Sequence, residues 1–395
     1  MTWGEGLPTD IAISIFSKLI ISNLRVCRLV CKTWNAMVLD YAHSYKLNND
    51  FLLSVSDVVP NPRSSWLCNA RMYCFRSDPT KRLDVYLDFF ELEGSKSAFS
   101  VPFDDGDWSR VTMMCYCNGL LFVCKSKLNT VCHGIFNPTT NEFHHVPKIF
   151  CDIYHFGLGY IPSTKEYKLF RATRSDLIMC RTQQESIRQR PITIIDVFDF
   201  GRNKWRQLHS LPYLIDDGGI YMDGVVYFVG KVKNKPNDYA IYALDVETEK
   251  IELSAVLKAG RGPSSSRSRI LQSNGIVYAI IYVNLPTTTT HSQVMQGVQV
   301  WRMQKKNSWI REFEIRKFVM NGMPGSIILI KAEEVLCKFG GSSFCWYNAS
   351  TRTKKMIRKT KSKCLVGICQ IETLNFGLLR NILAGDGKEN RYNSN

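Results

Sequence analysis

The sequence predicts a small all-α module over residues 1–46, a large all-β domain over 47–384 and a frayed tail over 385–395. Three observations predict this. Apolar residues recur at helical spacing only before about residue 50. Beyond it, short runs rich in Val, Ile, Tyr and Phe alternate with turn residues, and almost nothing is long enough for a helix. A hairpin-like unit then recurs along those runs.

The first helix opens at Leu7-Pro8-Thr9-Asp10. Pro8 has no N–H to lose at a helix start, Thr9 can cap, and Asp10 suits the positive end of the dipole. Ile11, Ile15 and Leu19 follow at i, i+4 and i+8 with Ala12 and Phe16 beside them, so one broad face is apolar. Ser22 can cap a second run, in which Leu24, Cys27, Cys31, Trp34 and Val38 recur at helical spacing. Arg25, Arg28, Lys32 and Asn35 keep its other side polar, while Val26, Leu29 and Val30 widen the apolar surface. Two helices this short cannot hide such faces from water on their own. They need a partner, which is either the chain's own β-domain or another protein.

The run Leu7-Pro8-Thr9-Asp10, then Ile15-Phe16-Ser17-Lys18-Leu19, then Leu24-Arg25-Val26-Cys27-Arg28-Leu29-Val30-Cys31-Lys32-Thr33-Trp34 resembles the F-box in order and spacing over about residues 6–45. One departure is Ile20, where many members of that family carry Pro. The resemblance implies docking on a Skp-type adaptor and, through it, on a cullin-based ubiquitin ligase. Carried over position by position, it assigns the docking face to Leu7, Pro8, Ile11, Ile15, Leu19, Leu24, Val30 and Trp34. Cys27 and Cys31 remain as internal packing.

Composition bounds the rest. The 395 residues are 45% apolar and 12% aromatic, enough for a large core. No apolar stretch follows a basic segment at the N-terminus, so no secretory signal is expected. The longest candidate span, Ile276 to Val283, is far short of the ~20 residues a membrane helix needs. A soluble chain in the cytoplasm and/or nucleus is expected, its 14 cysteines free thiols. Cys115-Tyr116-Cys117 and Cys27/Cys31 are the only close cysteine pairs, and no further pair or His pair stands at finger-like spacing. His144-His145 is isolated. Neither metal nor cofactor is expected.

In the β region, Gly119–Val123, Gly224–Val229 and Gly275–Val283 read as strands, and Phe51–Val55 as a first one. The recurring unit is an apolar strand end, a polar turn and an apolar or aromatic residue: Phe136 to Phe143, Phe198 to Trp205 and Leu244 to Ile251. Met303 to Trp309 fits less well, Tyr347 to Lys354 lacks the closing apolar residue, and Phe75 to Arg82 is a degenerate first copy. Anchored on Asn137, Asp199, Asp245, Met303 and Asn348, the copies are spaced 62, 46, 58 and 45 residues apart. Such spacing suits one four-stranded blade per copy and a β-propeller of about six blades. A β-sandwich of the same hairpins is the alternative. The stretches Gly157-Leu158-Gly159-Tyr160, Glu166-Tyr167-Lys168, Val197-Phe198-Asp199 and Lys204-Trp205-Arg206-Gln207-Leu208 resemble the kelch-like, F-box-associated domains of plant F-box proteins. The doubled glycines of a regular kelch repeat stand only at Gly218-Gly219 and Gly340-Gly341.

The net charge of +16 suits an acidic partner, nucleic acid or a membrane surface. Its densest cluster, Arg352, Lys354, Lys355, Arg358, Lys359, Lys361 and Lys363, reads either as a solvated edge or as an import or docking patch. No aromatics interleave with it as in an RNA-binding surface. There is no phosphate-cradling loop, nucleophile elbow or zinc-protease helix. The carboxylate pairs Asp104-Asp105 and Asp216-Asp217 sit beside Gly and read as solvated loops. The expectation is a non-catalytic adaptor: helices on a Skp-type protein, β-domain on an unidentified target, no membrane and no nucleic acid. The rivals are a scaffold whose helices merely cap their own β-domain, and a propeller enzyme with an acid-lined channel.

Overall fold

In the computed structural model the described residues are 8–19, 21–44, 50–59, 67–76, 98–99, 110–127, 130–140, 142–147, 154–175, 192–212, 214–232, 235, 237–259, 267–285, 295–316, 319–320, 323–339, 343–357 and 363–370. Two compact units contain them: 1–113 with 118–146 and 360–382, and 114–117 with 147–359 and 383–395.

Three helices open the first unit: α1 Thr9–Phe16, α2 Ile21–Cys27 and α3 Lys32–Ser44. Two details differ from the sequence reading. Pro8, not Thr9, holds the N-cap of α1 and no side chain caps it; Ser22 likewise lies inside α2 rather than before it. The second run is not one helix. Its ladder tightens at Leu29 N→Val26 O (3.0 Å) and Val30 N→Cys27 O (3.3 Å), and α3 starts afresh. Cys31 caps that new start, its sulfur accepting the Trp34 amide at 3.4 Å while its carbonyl takes the Asn35 N–H at 2.9 Å.

Among the described residues, every element after the helices is a strand. β1 (Asp50–Val59), β2 (Leu67–Arg76) and β3 (Ala98–Phe99) come first, and β1 contains the first strand expected at Phe51–Val55. β4 (Arg110–Cys117), β5 (Leu120–Lys127), β6 (Thr130–Asn137) and β7 (Glu142–Val146) form a second sheet. β8 (Tyr154–Ile161), β9 (Glu166–Arg174), β10 (Thr193–Asp199) and β11 (Lys204–Leu211) form a third. β12 (Leu214–Met222), β13 (Val225–Lys231), β14 (Asp238–Asp245) and β15 (Ile251–Lys258) form a fourth. β16 (Arg267–Ser273), β17 (Ile276–Leu285), β18 (Met295–Lys305) and β19 (Ser308–Ile315) form a fifth. The sixth runs β20 (Val319–Met320), β21 (Met323–Lys331), β22 (Glu334–Phe339), β23 (Ser343–Asn348) and β24 (Lys354–Ile357). β25 (Lys363–Gln370) returns to the first sheet and pairs antiparallel with β1, Phe51 opposite Gln370. Six small meanders among the described residues bear out the propeller with about six blades over the sandwich, which would gather the strands into two large sheets.

The sequence repeats fall at one place in this plan. Each described copy is the hairpin joining the last two strands of a sheet, with Phe136 opposite Phe143, Phe198 opposite Trp205, Leu244 opposite Ile251, Met303 opposite Trp309 and Tyr347 opposite Lys354. The degenerate copy, beyond Arg76, lies outside the described residues. The turn residue has a job in four of the five. The side-chain oxygens of Asn137, Asp199, Asp245 and Asn348 accept the amides of Thr139, Arg202, Thr248 and Thr351 at 3.0, 3.0, 2.8 and 2.8 Å. Met303 has no such acceptor, and its hairpin closes instead through Lys305 opposite Ser308 with Asn307 at φ 65°.

Between the first two strands, three sheets use Asn-Gly or Asp-Gly turns with both residues at positive φ: Asn118-Gly119, Asp223-Gly224 and Asn274-Gly275. The second strand of the fourth sheet, β13, is a continuous apolar run because it is covered on both faces. Val226 and Phe228 of β13 pack with Phe170, Ala172, Ile195 and Val197 of the preceding sheet. Tyr227 and Val229, pointing the other way, pack with Val277, Ala279 and Ile281 of the following one. The outermost strands, such as β11 and β15, are largely exposed or half-buried.

The Asp216-Asp217 reading is corrected here. The pair sits within β12, half-buried and bonded to the neighbouring sheet, not in a solvated loop. The flanking Leu214-Ile215 and Ile220 supply enough apolar burial to extend a strand through it. Asp104-Asp105 lies outside the described residues. In the basic cluster, Arg352, Lys354 and Lys355 are exposed on the outer edge strand β24 and the turn before it, while Arg358, Lys359 and Lys361 lie outside the described residues.

Candidate docking face and inner-strand cluster

The helical module divides its apolar residues between two sides. Ala12, Phe16, Leu24, Val38 and Tyr41 are buried, and Phe16 sits edge-on to Trp34 at 5.7 Å and tilted against Tyr41 at 6.0 Å. Arg28 ties the break between α2 and α3 by donating to Asn35 Oδ1 at 2.8 Å. Burial pushes the Cys27 thiol up, which keeps it a protonated packing group. The other side is open. Ile11 is 47% exposed, Ile15 37%, Val30 60% and Leu29 82%, with Ile13 and Val26 also exposed.

The eight predicted docking residues are therefore not equivalent. Pro8, Ile11, Ile15 and Val30 are exposed, Leu19 and Trp34 are half-buried, and Leu24 is fully buried inside the module. Leu7 lies outside the described residues. Leu24 at 0% exposure is core in the free chain and offers no surface to a partner. Sequence reasoning passed over Ile13 and Leu29 as docking candidates. The signal for Leu29 was its place in the run Leu29-Val30, where α2 has unwound and both neighbours turn outward.

The module is also held on the first unit. Arg25 Nη1 donates to the Thr140 carbonyl, in the turn between β6 and β7, at 3.3 Å. That places the open helical side on a braced support.

A second constellation lies at the starts of the inner strands of the second unit. Ser268 Oγ donates to Asp216 Oδ2 at 3.1 Å, and the Ile270 amide to Asp217 Oδ2 at 2.9 Å, so the β12 carboxylates satisfy the open edge of β16. Arg269 Nη1 reaches on to the Ile327 carbonyl of β21 at 3.2 Å, and Arg267 Nη2 to Ser326 Oγ at 2.9 Å. The Arg267 guanidinium lies over the Tyr282 ring at 4.3 Å. Burial pushes the Asp216 carboxyl up, against the pull of Lys231, the Ser268 hydroxyl, His155 and Arg174. Burial holds the His155 imidazole low, against Asp217 and Asp216, which leaves it neutral at neutral pH.

Comparison with known proteins agrees with this architecture. The F-box-like family matches residues 5–46, and the F-box associated beta propeller domain matches residues 72–324, more than half of the chain. The F-box protein At3g07870 of Arabidopsis thaliana is 23% identical over 336 residues, covering 81% of this chain and 75% of the relative. F-box protein At4g11590 of the same plant is 23% identical over 388 residues, covering 90% and 85%. A third Arabidopsis F-box relative is 26% identical over 267 residues, 64% of this chain, and the chain spans 59% of its length. Among solved structures, TolB from Acinetobacter baumannii aligns over 84% of this chain and 69% of its own, 8% identical at a TM-score of 0.43, too low to bear on function. Three N-terminal helices with an outward apolar side, followed by six small antiparallel sheets, thus meet two family matches in the same order along the chain: it belongs to the F-box proteins that carry an F-box associated β-propeller domain.

Proposed function

We propose that this chain is the substrate-recognition subunit of a Skp–cullin–F-box ubiquitin ligase, acting without chemistry of its own. Its helices dock on a Skp-type adaptor, and its propeller holds a target protein for ubiquitin transfer by other subunits. The observation that carries the reading is the exposure of Ile11, Ile15, Leu29 and Val30 on a small module whose own core is already formed by Ala12, Phe16, Leu24, Val38 and Tyr41. A single exposed apolar residue is ordinary, but several on one small module support an interaction site. Their exposure speaks against a module that merely caps its own β-domain, which would bury these residues. Domain limits of 1–46 and 47–384 follow from the same reading, as does a place in the cytoplasm and/or nucleus where such ligases act.

The docking face is best assigned to Pro8, Ile11, Ile15, Leu29 and Val30, with Leu24 and Phe16 as the core beneath. The test is binding of the full chain to a purified Skp-type adaptor, beside an Ile11→Asp/Ile15→Asp variant. Burying each Ile is worth about 1.5–3 kcal/mol, so the variant should bind at least about a hundredfold more weakly. Its melting temperature should stay near that of the wild type, because neither side chain is in the core. A folded wild-type chain that does not bind the adaptor would sink the proposal.

A further inference from the structure

We propose that Cys337 and Cys345, opposed across β22 and β23 of the sixth sheet, are a redox modification site that hydrogen peroxide closes into a reversible cross-strand disulfide. This goes beyond the recognition-subunit reading and does not rest on it.

The register sets the geometry. Cys337 of β22 stands directly opposite Cys345 of β23, in a ladder that runs without a shift from Glu334↔Asn348 to Phe339↔Ser343. Directly opposed residues of an antiparallel pair share a face, with Cα atoms about 4.5 or 5.5 Å apart. Both spacings fall within the roughly 4.4–6.8 Å that a disulfide spans, so neither strand has to slide for the bond to form. Both cysteines are free, fully buried and members of one apolar cluster shared by the fifth and sixth sheets. Cys124 and Cys132 make the contrast. They also lie on paired strands, but Cys124 stands opposite His133 and Cys132 opposite Lys125, so their thiols are on different faces.

The two thiols are unequal. A hydrogen bond joins them, and Cys337 Sγ also lies 3.7 Å from the Val335 carbonyl oxygen. Burial pushes the Cys337 thiol well up, and the bond to Cys345 adds to that. On Cys345 the same bond, with the nearby Lys354 ammonium, outweighs burial and holds the thiol below its usual range. Cys345 is thus the attacking sulfur and Cys337 the resolving one. Cys345 also lies one strand nearer the outer edge of the sheet. It stands opposite Met356 of β24, a four-residue outer strand on which Met356 is 53% exposed. Parting so short a strand is a local opening, far smaller than unfolding the sheet, and it admits a small oxidant.

The steps balance. The Cys345 thiolate attacks one peroxide oxygen, the O–O bond breaks, and a sulfenic acid forms while the departing hydroxide takes up the thiol's proton as water. The Cys337 sulfur then displaces the hydroxyl from Cys345 to make the S–S bond, and its proton leaves with that hydroxyl as a second water. The thiol pair is oxidised by two electrons and one peroxide is reduced to water. Where thiols are kept reduced such a disulfide is transient, which makes the pair a sensor rather than a structural staple.

The test exposes the reduced full chain to hydrogen peroxide, blocks the remaining thiols with N-ethylmaleimide and maps the monomeric fraction by trypsin digestion and mass spectrometry. Cleavage after Lys338 separates the two cysteines, so the bond is read as a linked pair of peptides. That pair should be the dominant linkage and should vanish on reduction with dithiothreitol. Cys337→Ser should stop at a Cys345 sulfenic acid that dimedone traps. In Cys345→Ser, Cys337 should react with peroxide at least about tenfold more slowly than Cys345 does in Cys337→Ser. Melting temperatures of the reduced variants check that both fold, and the wild-type map decides the linkage without them. An oxidised wild type without the Cys337–Cys345 link, or with that link no more abundant than links among the other cysteines, would overturn the proposal. So would equal reaction rates in the two variants, which would remove the attacking role of Cys345.

Discussion

Neighbouring residues in this chain have opposite jobs, and burial tells them apart. Ile15 and Phe16 are adjacent in α1, yet Ile15 faces out while Phe16 is fully buried against Trp34 and Tyr41. Ionic residues sort in the same way. Glu249 receives Lys168 Nζ at 2.7 Å and Arg206 Nη2 at 2.5 Å, while its carbonyl meets His209 Nε2 at 2.7 Å. Burial raises its carboxyl, but the bonds and charges of Arg206 and Lys168 outweigh that and hold it below the usual glutamate range. A depressed folded value stabilises the fold above the unfolded pKa of about 4.3, and the contribution fades as pH falls through the lower folded value. Thermal melts between about pH 5 and about pH 3 should therefore lose less stability in Glu249→Gln than in the wild type. An identical acid-induced drop in both would show that the ion pairs are screened to insignificance.

Packing of elements explains the glycines that the kelch-like resemblance highlighted. A Cβ on Gly219 of β12 would stand 2.5 Å from Val226 Cγ1 and 2.8 Å from the Cα of Gly157 on β8. Two inner strands approach here at a distance that only paired glycines permit. Gly224 differs, because a Cβ there meets nothing within 4 Å and only its φ of +80° selects glycine. Gly219→Ala should cost about 1–3 kcal/mol through overpacking. Gly224→Ala should cost about 1 kcal/mol through backbone strain, most of it recovered by Gly224→Asn. Chemical denaturation of the three variants checks the order, and failure of Asn to recover stability would count against the backbone explanation.

At the scale of the whole molecule, the last described strand completes the first sheet. β25 pairs with β1 from Asp57↔Lys363 to Phe51↔Gln370, so residues more than three hundred positions apart share one ladder. Truncation before Lys363 removes that partner and exposes the row of backbone donors and acceptors on β1. The truncated chain should melt at lower temperature and self-associate on size-exclusion chromatography, whereas removal of only residues 385–395 should change neither. A monomeric, equally stable truncation would mean that the β1 edge is protected by other means.

Periodicity and turn chemistry alone announced the switch from helix to strand near residue 50, the repeated hairpins and the approximate number of sheets. These features depend on residues two to four apart, such as Asp245 reaching Thr248, and local bonds leave their mark in local sequence. The division of labour inside the helical module was not legible. A helix wheel places Leu24 on the same apolar stripe as Trp34, but the run is broken by the unwound turn at Arg28–Val30, and Leu24 is fully buried where Trp34 is half-buried against Phe16. Nor could spacing reveal the role of Asp216 and Asp217. Their partners Ser268 and Ile270 are 52 and 53 residues away, on another sheet, and only the packing of β12 beside β16 turns a pair that reads as loop into a support for the neighbouring strand.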